Sequence, residues 1–84
     1  MSSPEFTALQ QDIRLLEHRR MDLADAISQT EGALRKIKQY DLPTAKMIGT
    51  AFLSTLQDAL RHTGDALARH NDEAAKMWRE GQDA

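Results

Sequence analysis

Cysteine is absent from this chain of 84 residues, which excludes disulfide bonds and thiolate metal sites. Aromatic residues make up 5% of the sequence, and the formal net charge is only −2. A balance this close to neutral lacks the electrostatic footprint of a nucleic-acid binder or of a protein that binds anionic membranes.

Long hydrophobic runs are also missing. The longest stretch without a charged residue, residues 47–57, has eleven residues, whereas a membrane-spanning helix needs about 20. The N-terminus lacks the basic-then-apolar order of a cleaved signal peptide. We therefore expect a cytoplasmic protein with no membrane span, although secretion by a route without a cleaved signal would leave the same sequence.

Apolar residues recur every three or four positions through the first half of the chain. Eight of the ten positions in this series are apolar, and the other two are Arg20 and Thr30. The spacing predicts an α-helix with a narrow apolar seam, which packs along a second helix as in a coiled coil. We expect the stem of Arg20 to pack on the seam with its guanidinium reaching Glu17 or solvent; alternatively, Arg20 fixes the register. The eight apolar residues are Phe6, Leu9, Ile13, Leu16, Leu23, Ile27, Leu34 and Ile37.

Pro43 predicts a turn over residues 40–43, because proline disfavours helix at the preceding residue and fits the first turn of a new helix. We expect a first helix over residues 4–39, with Ser3 as its N-cap and Pro4 at its first position. Residues 3–6 also resemble a cloning linker, but Phe6 is in phase with the seam. A second helix is expected over residues 43–80, with Asp41 or Thr44 as its cap and Gly81 as its terminator.

The second helix has an apolar side and a charged side. A connection as short as this turn makes the two helices antiparallel neighbours. The fold class is therefore all-α, one helical-hairpin domain over residues 1–84, with residue i facing roughly residue 83 − i. Phe6 then meets Met77 and Trp78, and Leu34 meets Gly49. Helix 2 is expected to supply Leu56, Leu60, Leu67 and Met77 to the core of the hairpin.

The uncharged stretch over residues 47–57 predicts a second contact surface. A helix that is apolar on every side is normally buried on every side, and helix 1 covers only one of them. We expect a further helix to dock there, completing a four-helix bundle by dimerisation or by binding another protein's amphipathic helix. The alternative is that these side chains only thicken the hairpin contact. The predicted interaction residues are Met47, Ile48, Ala51, Phe52 and Leu53, with Leu15 and Met21 extending the surface from helix 1.

No combination of residues predicts catalysis. The sequence contains no nucleophile-and-base constellation and no glycine-rich phosphate loop. The three histidines, His18, His62 and His70, match neither the ExxH pairs of di-iron bundles nor the HExxH motif. We therefore expect a protein that is not an enzyme and that has no metal and no cofactor.

A basic cluster flanks the predicted turn. It consists of Arg35, Lys36 and Lys38 at the end of helix 1, and Lys46 in helix 2. A hairpin with such a cluster resembles in architecture the Rop-type plasmid regulators, and this resemblance implies RNA binding through these residues. The acidic balance of the chain argues against it, and cations collect at helix C-termini in any case.

The leading functional expectation is a small helical interaction protein. Such a protein would act as an adaptor, an assembly factor or an export-type chaperone, as a homodimer or a heteromer. One alternative is a Rop-like nucleic-acid-binding regulator. Another is a small structural component of a secreted or virion assembly, which the sequence does not separate from the leading hypothesis.

Overall fold

The computed structural model describes residues 3–83, and the side chains of residues 3–81. It confirms the predicted fold class: two long helices, α1 (Pro4–Lys38) and α2 (Pro43–Asp83), pack side by side as an antiparallel hairpin. The molecule is a rod of 65 × 14 × 14 Å. Residues 1, 2 and 84 of the predicted domain lie outside the described part of the chain.

The N-terminus of α1 has the predicted cap. The Ser3 hydroxyl accepts a hydrogen bond of 3.1 Å from the backbone N–H of Phe6, and Pro4 occupies the first helical position. Proline fits there because its missing N–H would have no partner within the helix. Helix α1 ends at Lys38, and Gln39 is its C-cap.

The turn differs from the predicted one in how it begins α2. Asp41 has a left-handed backbone with φ of 50°, a conformation that aspartate tolerates better than most residues. The Leu42 carbonyl accepts a 3.0 Å hydrogen bond from the N–H of Lys46. Leu42 therefore occupies the N-cap position before Pro43, and neither Asp41 nor Thr44 does.

The C-terminal end of α2 extends beyond the predicted terminator. The helix continues to Asp83, and Gly81 keeps a negative φ within it. Glycine permits the left-handed conformation that ends many helices but does not impose it. The next two residues, Gln82 and Asp83, continue the helix.

The contacts between the helices follow the predicted register. The rings of Phe6 and Trp78 lie 6.4 Å apart between centroids, near the chain termini. Near the turn, the side chain of Leu34 lies directly over Gly49. All twelve residues predicted for the hairpin core are buried or half-buried, and Leu67 is only 3% exposed.

Two threonines occupy seam positions without leaving a polar group unsatisfied. The hydroxyl of Thr63, which is 6% exposed, donates a 2.8 Å hydrogen bond to the Ala59 carbonyl. Thr30 donates a 2.7 Å bond to the Ala26 carbonyl in the same way. A buried hydroxyl costs little when it is hydrogen-bonded, so these residues need no role beyond packing.

Gly49 and Gly64 provide a matched test of the seam. A Cβ on Gly49 would lie 2.5 Å from Leu34 Cδ2, whereas a Cβ on Gly64 would meet nothing within 4 Å. We expect Gly64→Ala to raise the free energy of unfolding by about 1 kcal/mol through helix propensity. Gly49→Ala should lower it by about 1 kcal/mol, because overpacking costs about 1–3 kcal/mol and outweighs the same propensity gain.

Urea denaturation followed by circular dichroism measures both variants. Equal stabilisation by the two substitutions would contradict the close approach of the helices at Gly49.

Candidate apolar docking face

The first half of α2 exposes large apolar side chains. Met47 is 67% exposed, Ile48 63% and Phe52 54%. Ala51 is exposed as well. Leu53 differs from these four, because it is half-buried. It precedes Leu60 by seven residues, which places it on the seam that faces α1.

The exposed residues lie on two sides of α2. Successive residues of a helix point about 100° apart, so Met47 and Ile48 cannot share a side. Ile48 lines a shallow depression beside the turn, with Leu42, Pro43, Thr44 and Ala45. Met47 and Ala51 line a separate one on the outer side of α2, with Pro43, Lys46, Thr50 and Ser54.

Leu15 and Met21 lie far from this surface. Both are exposed, at 66% and 63%. The register places residue 31 of α1 opposite Phe52, so Met21 is ten residues away along the rod and Leu15 is sixteen. At about 1.5 Å per residue, these separations are about 15 Å and 24 Å. The two residues therefore do not border the Met47–Phe52 region.

Two depressions show which flanks of the helices share a side of the hairpin. Near the termini, Asp12 of α1 and Glu73 of α2 line one depression. Near the turn, Lys38 and Thr50 line another. Residues seven apart on a coiled-coil helix occupy equivalent positions. Every seventh residue from Asp12 and from Glu73 therefore lies on one side of the hairpin, and every seventh from Lys38 and Thr50 on the other.

The two sides differ sharply in composition. The side with Lys38 and Thr50 is largely polar and includes Glu17, Glu31 and Gln57. On the other side, the half of the rod nearer the turn has only apolar residues at the flanking positions. We call this surface, with the neighbouring Ile48, the apolar face. Its flanking residues are Ala26 and Ala33 from α1, and Ala45, Phe52 and Ala59 from α2; Tyr40 adjoins them in the turn, and Ala66 continues the α2 row past the middle of the rod.

The sequence predictions missed the alanines of the apolar face. The seven-residue spacing beside the seam carries the signal, but it is interpretable only after the two helices are placed side by side. The uncharged stretch alone predicts Phe52 and Ile48 but not their α1 neighbours.

The basic cluster is only partly brought together. Arg35, Lys38 and Lys46 line one depression with Leu34 and Thr50. Lys36 does not line it, although it is exposed. Three of the four predicted cations therefore converge between the helix ends, on the polar side of the hairpin.

Charged side chains outside the basic cluster form few ion pairs within the described residues. Among the side chains of residues 3–81, the one ion pair joins Arg61 and Asp58 at 3.2 Å, and both are well exposed. Arg20 is exposed and forms no such pair with Glu17. Within the same residues, no group of three or more histidine, aspartate or glutamate side chains is arranged to hold a metal ion.

Neither described helix has a segment long and apolar enough to cross a membrane. Comparisons of the chain with protein-family models, with curated proteins and with solved structures gave no match.

Proposed function

We propose that this protein is a non-enzymatic helical interaction protein that works by helix-to-helix association through its apolar face. In this role it would serve as a small adaptor, an assembly factor or an export-type chaperone. The observation that carries the proposal is the exposure of Phe52 and Ile48 on a stretch without charge. A contiguous exposed apolar patch on a small protein is typical of a protein-binding surface.

The total surface supports the same proposal. The chain has a solvent-accessible surface of 6646 Å², whereas a compact monomer of 9.5 kDa exposes about 5,000 Å². The excess is larger than the area of about 800 Å² that each partner buries in a standard interface. Association through one broad face would remove a large part of that excess.

The experiment is light scattering of the purified chain, followed by a pull-down from host lysate with the wild type and with Phe52→Glu in parallel. We expect a molar mass above 9.5 kDa, or a retained protein that the variant loses. A monomer whose wild-type and variant forms retain the same proteins would contradict the proposal.

The convergence of Arg35, Lys38 and Lys46 favours nucleic-acid binding as a second candidate function. Three cations that neutralise phosphates of a single strand give a slope of about −2 in a plot of log affinity against log salt. This candidate predicts that Lys38→Gln with Lys46→Gln abolishes the binding of single-stranded RNA, whereas Arg79→Gln at the other end of the rod leaves it unchanged. A flat titration of the wild type at low salt would eliminate this function.

A further inference from the structure

We infer that the apolar face binds a second copy of this chain, packed face to face and antiparallel, so that α1 runs along α1 and α2 along α2. This inference rests on the proposed function and names the partner of the same surface. The turn of each copy then lies at the termini of the other. The occupant and its direction follow from the charges and depressions along this side of the hairpin.

Two rows of α1 residues lie on the side of the hairpin that carries the apolar face. The inner row repeats every seven residues beside the seam, and the outer row lies next to it, away from α2. All of these residues are exposed except Ala26, which is half-buried. The inner row is Glu5, Asp12, Arg19, Ala26 and Ala33; the outer row is Ala8, Leu15, Asp22, Gln29 and Lys36.

The inner row of one copy is complementary in charge to the outer row of a second copy that runs in the opposite direction. If residue 5 of one copy lies beside residue 36 of the other, Glu5 meets Lys36 and Arg19 meets Asp22. In the same register Asp12 meets Gln29. The twofold symmetry makes every contact occur twice. Opposite charges meet at every charged pair, and within residues 3–81 none of these four charged residues forms an ion pair in the single chain.

In this register the apolar residues of the two copies also lie opposite side chains of suitable size. Leu15 lies beside Ala26 of the second copy, so a large side chain meets a small one. On α2, Ala59 lies beside Ala66 of the second copy, and the small side chains permit close approach. Helix pairs of this kind pack with axes about 8–10 Å apart when small residues occupy the contact.

Phe52 lies at the same height along the rod as Glu73 of the second copy. That height holds the depression near the termini, where Ala8, Leu9 and Met77 form the apolar part of the lining. The exposed ring therefore has a hollow to enter. Glu5, Asp12 and Glu73 line the same depression, and in this register Lys36 of the other copy lies beside Glu5.

The overall charge distribution favours the same direction. Residues 32–50, around the turn, contain four basic residues and one acidic residue. The rest of the chain contains seven basic and twelve acidic residues. Antiparallel packing therefore keeps the two basic turns apart, one at each end of the dimer.

Parallel packing brings like charges together. With both turns at one end, α1 of each copy lies along α2 of the other at the same level. Asp12 then faces Glu73, and Glu5 faces Glu80. Like charges placed opposite each other in an interface are unfavourable. Arg69 and Lys76, one row further out on α2, offset part of this repulsion. Parallel packing also brings the two basic turns together at one end, which the antiparallel arrangement avoids.

Charge reversal across the symmetry axis tests the inference by sedimentation equilibrium. We expect Arg19→Asp alone, and Asp22→Arg alone, each to raise the Kd of the dimer at least about tenfold. An equal mixture of the two variants restores dimerisation, because each copy then supplies the partner charge that the other needs. The matched controls Arg14→Asp and Asp25→Arg lie on other sides of α1 and leave the Kd unchanged.

A distance measurement tests the direction separately. The sequence has no cysteine, so Lys38→Cys, on the polar side away from the proposed interface, accepts a single spin label. In the antiparallel dimer the two labels are separated by the 35 residues between positions 3 and 38, about 52 Å along the rod. In a parallel dimer they lie at the same end, separated only by the thickness of two packed helices, about 20–25 Å.

The outcomes distinguish failure of the antiparallel dimer from failure of the proposed function. A short label distance, or a mixture that stays monomeric, overturns the antiparallel dimer. A wild-type chain that is monomeric at every concentration also overturns it, and the proposed function then survives only if a retained protein is lost in Phe52→Glu. Loss of both self-association and Phe52-dependent retention overturns the proposed function as well.

Discussion

The Leu67→Ala variant is expected to lose about 3 kcal/mol of unfolding free energy, the largest effect of any single truncation in the seam. Leu67 is only 3% exposed and lies at the middle of α2. Truncation removes buried methyl groups and leaves a cavity that two rigid helices cannot close. Because small domains have little stability to lose, the change should be visible as a large shift of the urea midpoint.

Met21→Ala is the control for this prediction. Met21 is also a large apolar residue in the middle of a helix, but it is 63% exposed and lies away from both the seam and the apolar face. Surface truncations of this kind change stability by about 0.5 kcal/mol or less. Similar losses for the two variants would contradict the placement of the core along a single seam.

The Phe52→Glu variant is expected to dissociate while remaining helical. Phe52 is 54% exposed in the hairpin, so a carboxylate there stays in water and the single chain is barely affected. In an associated state the same carboxylate would be buried without a partner charge, which costs several kcal/mol. A loss of about 3 kcal/mol corresponds to a Kd roughly 100-fold higher.

Gln57→Glu adds the same charge five residues further along α2, on the polar side of the hairpin. Sedimentation velocity measures the molar mass of each variant, and circular dichroism at the same concentrations measures its helix content. We expect Gln57→Glu to associate and Phe52→Glu to be a monomer. Association by both variants to the wild-type extent would show that another surface carries the contact.

The hairpin itself is predictable from the sequence because its signal is long and redundant. A seam that keeps the same spacing from Phe6 to Ile37 tolerates Arg20 and Thr30 without losing its phase. Pro43 then fixes the fold-back, and a short turn leaves one choice of direction. The contacts of Phe6 with Trp78 and of Leu34 with Gly49 follow from that choice alone.

The ends of the second helix were harder to predict, because local preferences there are weak. Leu42 has no capping side chain, yet it occupies the N-cap position because Pro43 sets where α2 begins. At the other end, Gly81 remains helical although glycine is the commonest terminator. In both cases the boundary of α2 is set by the adjoining helical residues, and the capping or terminating preference of the side chain has little influence on it.

The candidate surface required three-dimensional information. Within residues 47–57 no charge marks the outer side of the helix, so the sequence alone did not separate Leu53, which is half-buried, from the exposed Phe52. The grouping of Leu15 and Met21 with this region also depended on their position along the rod. That position follows from the register between the helices and not from either helix alone.

We expect this two-helix rod, which has few buried residues, to gain stability when its apolar face is covered. Thermal unfolding of the wild-type chain, from about 10 μM to about 1 mM, tests it most directly, because binding to the folded state alone makes the Tm depend on concentration. We expect a Tm that rises by several degrees across this range. A Tm that stays constant, for a chain that sediments at 9.5 kDa throughout, would contradict it.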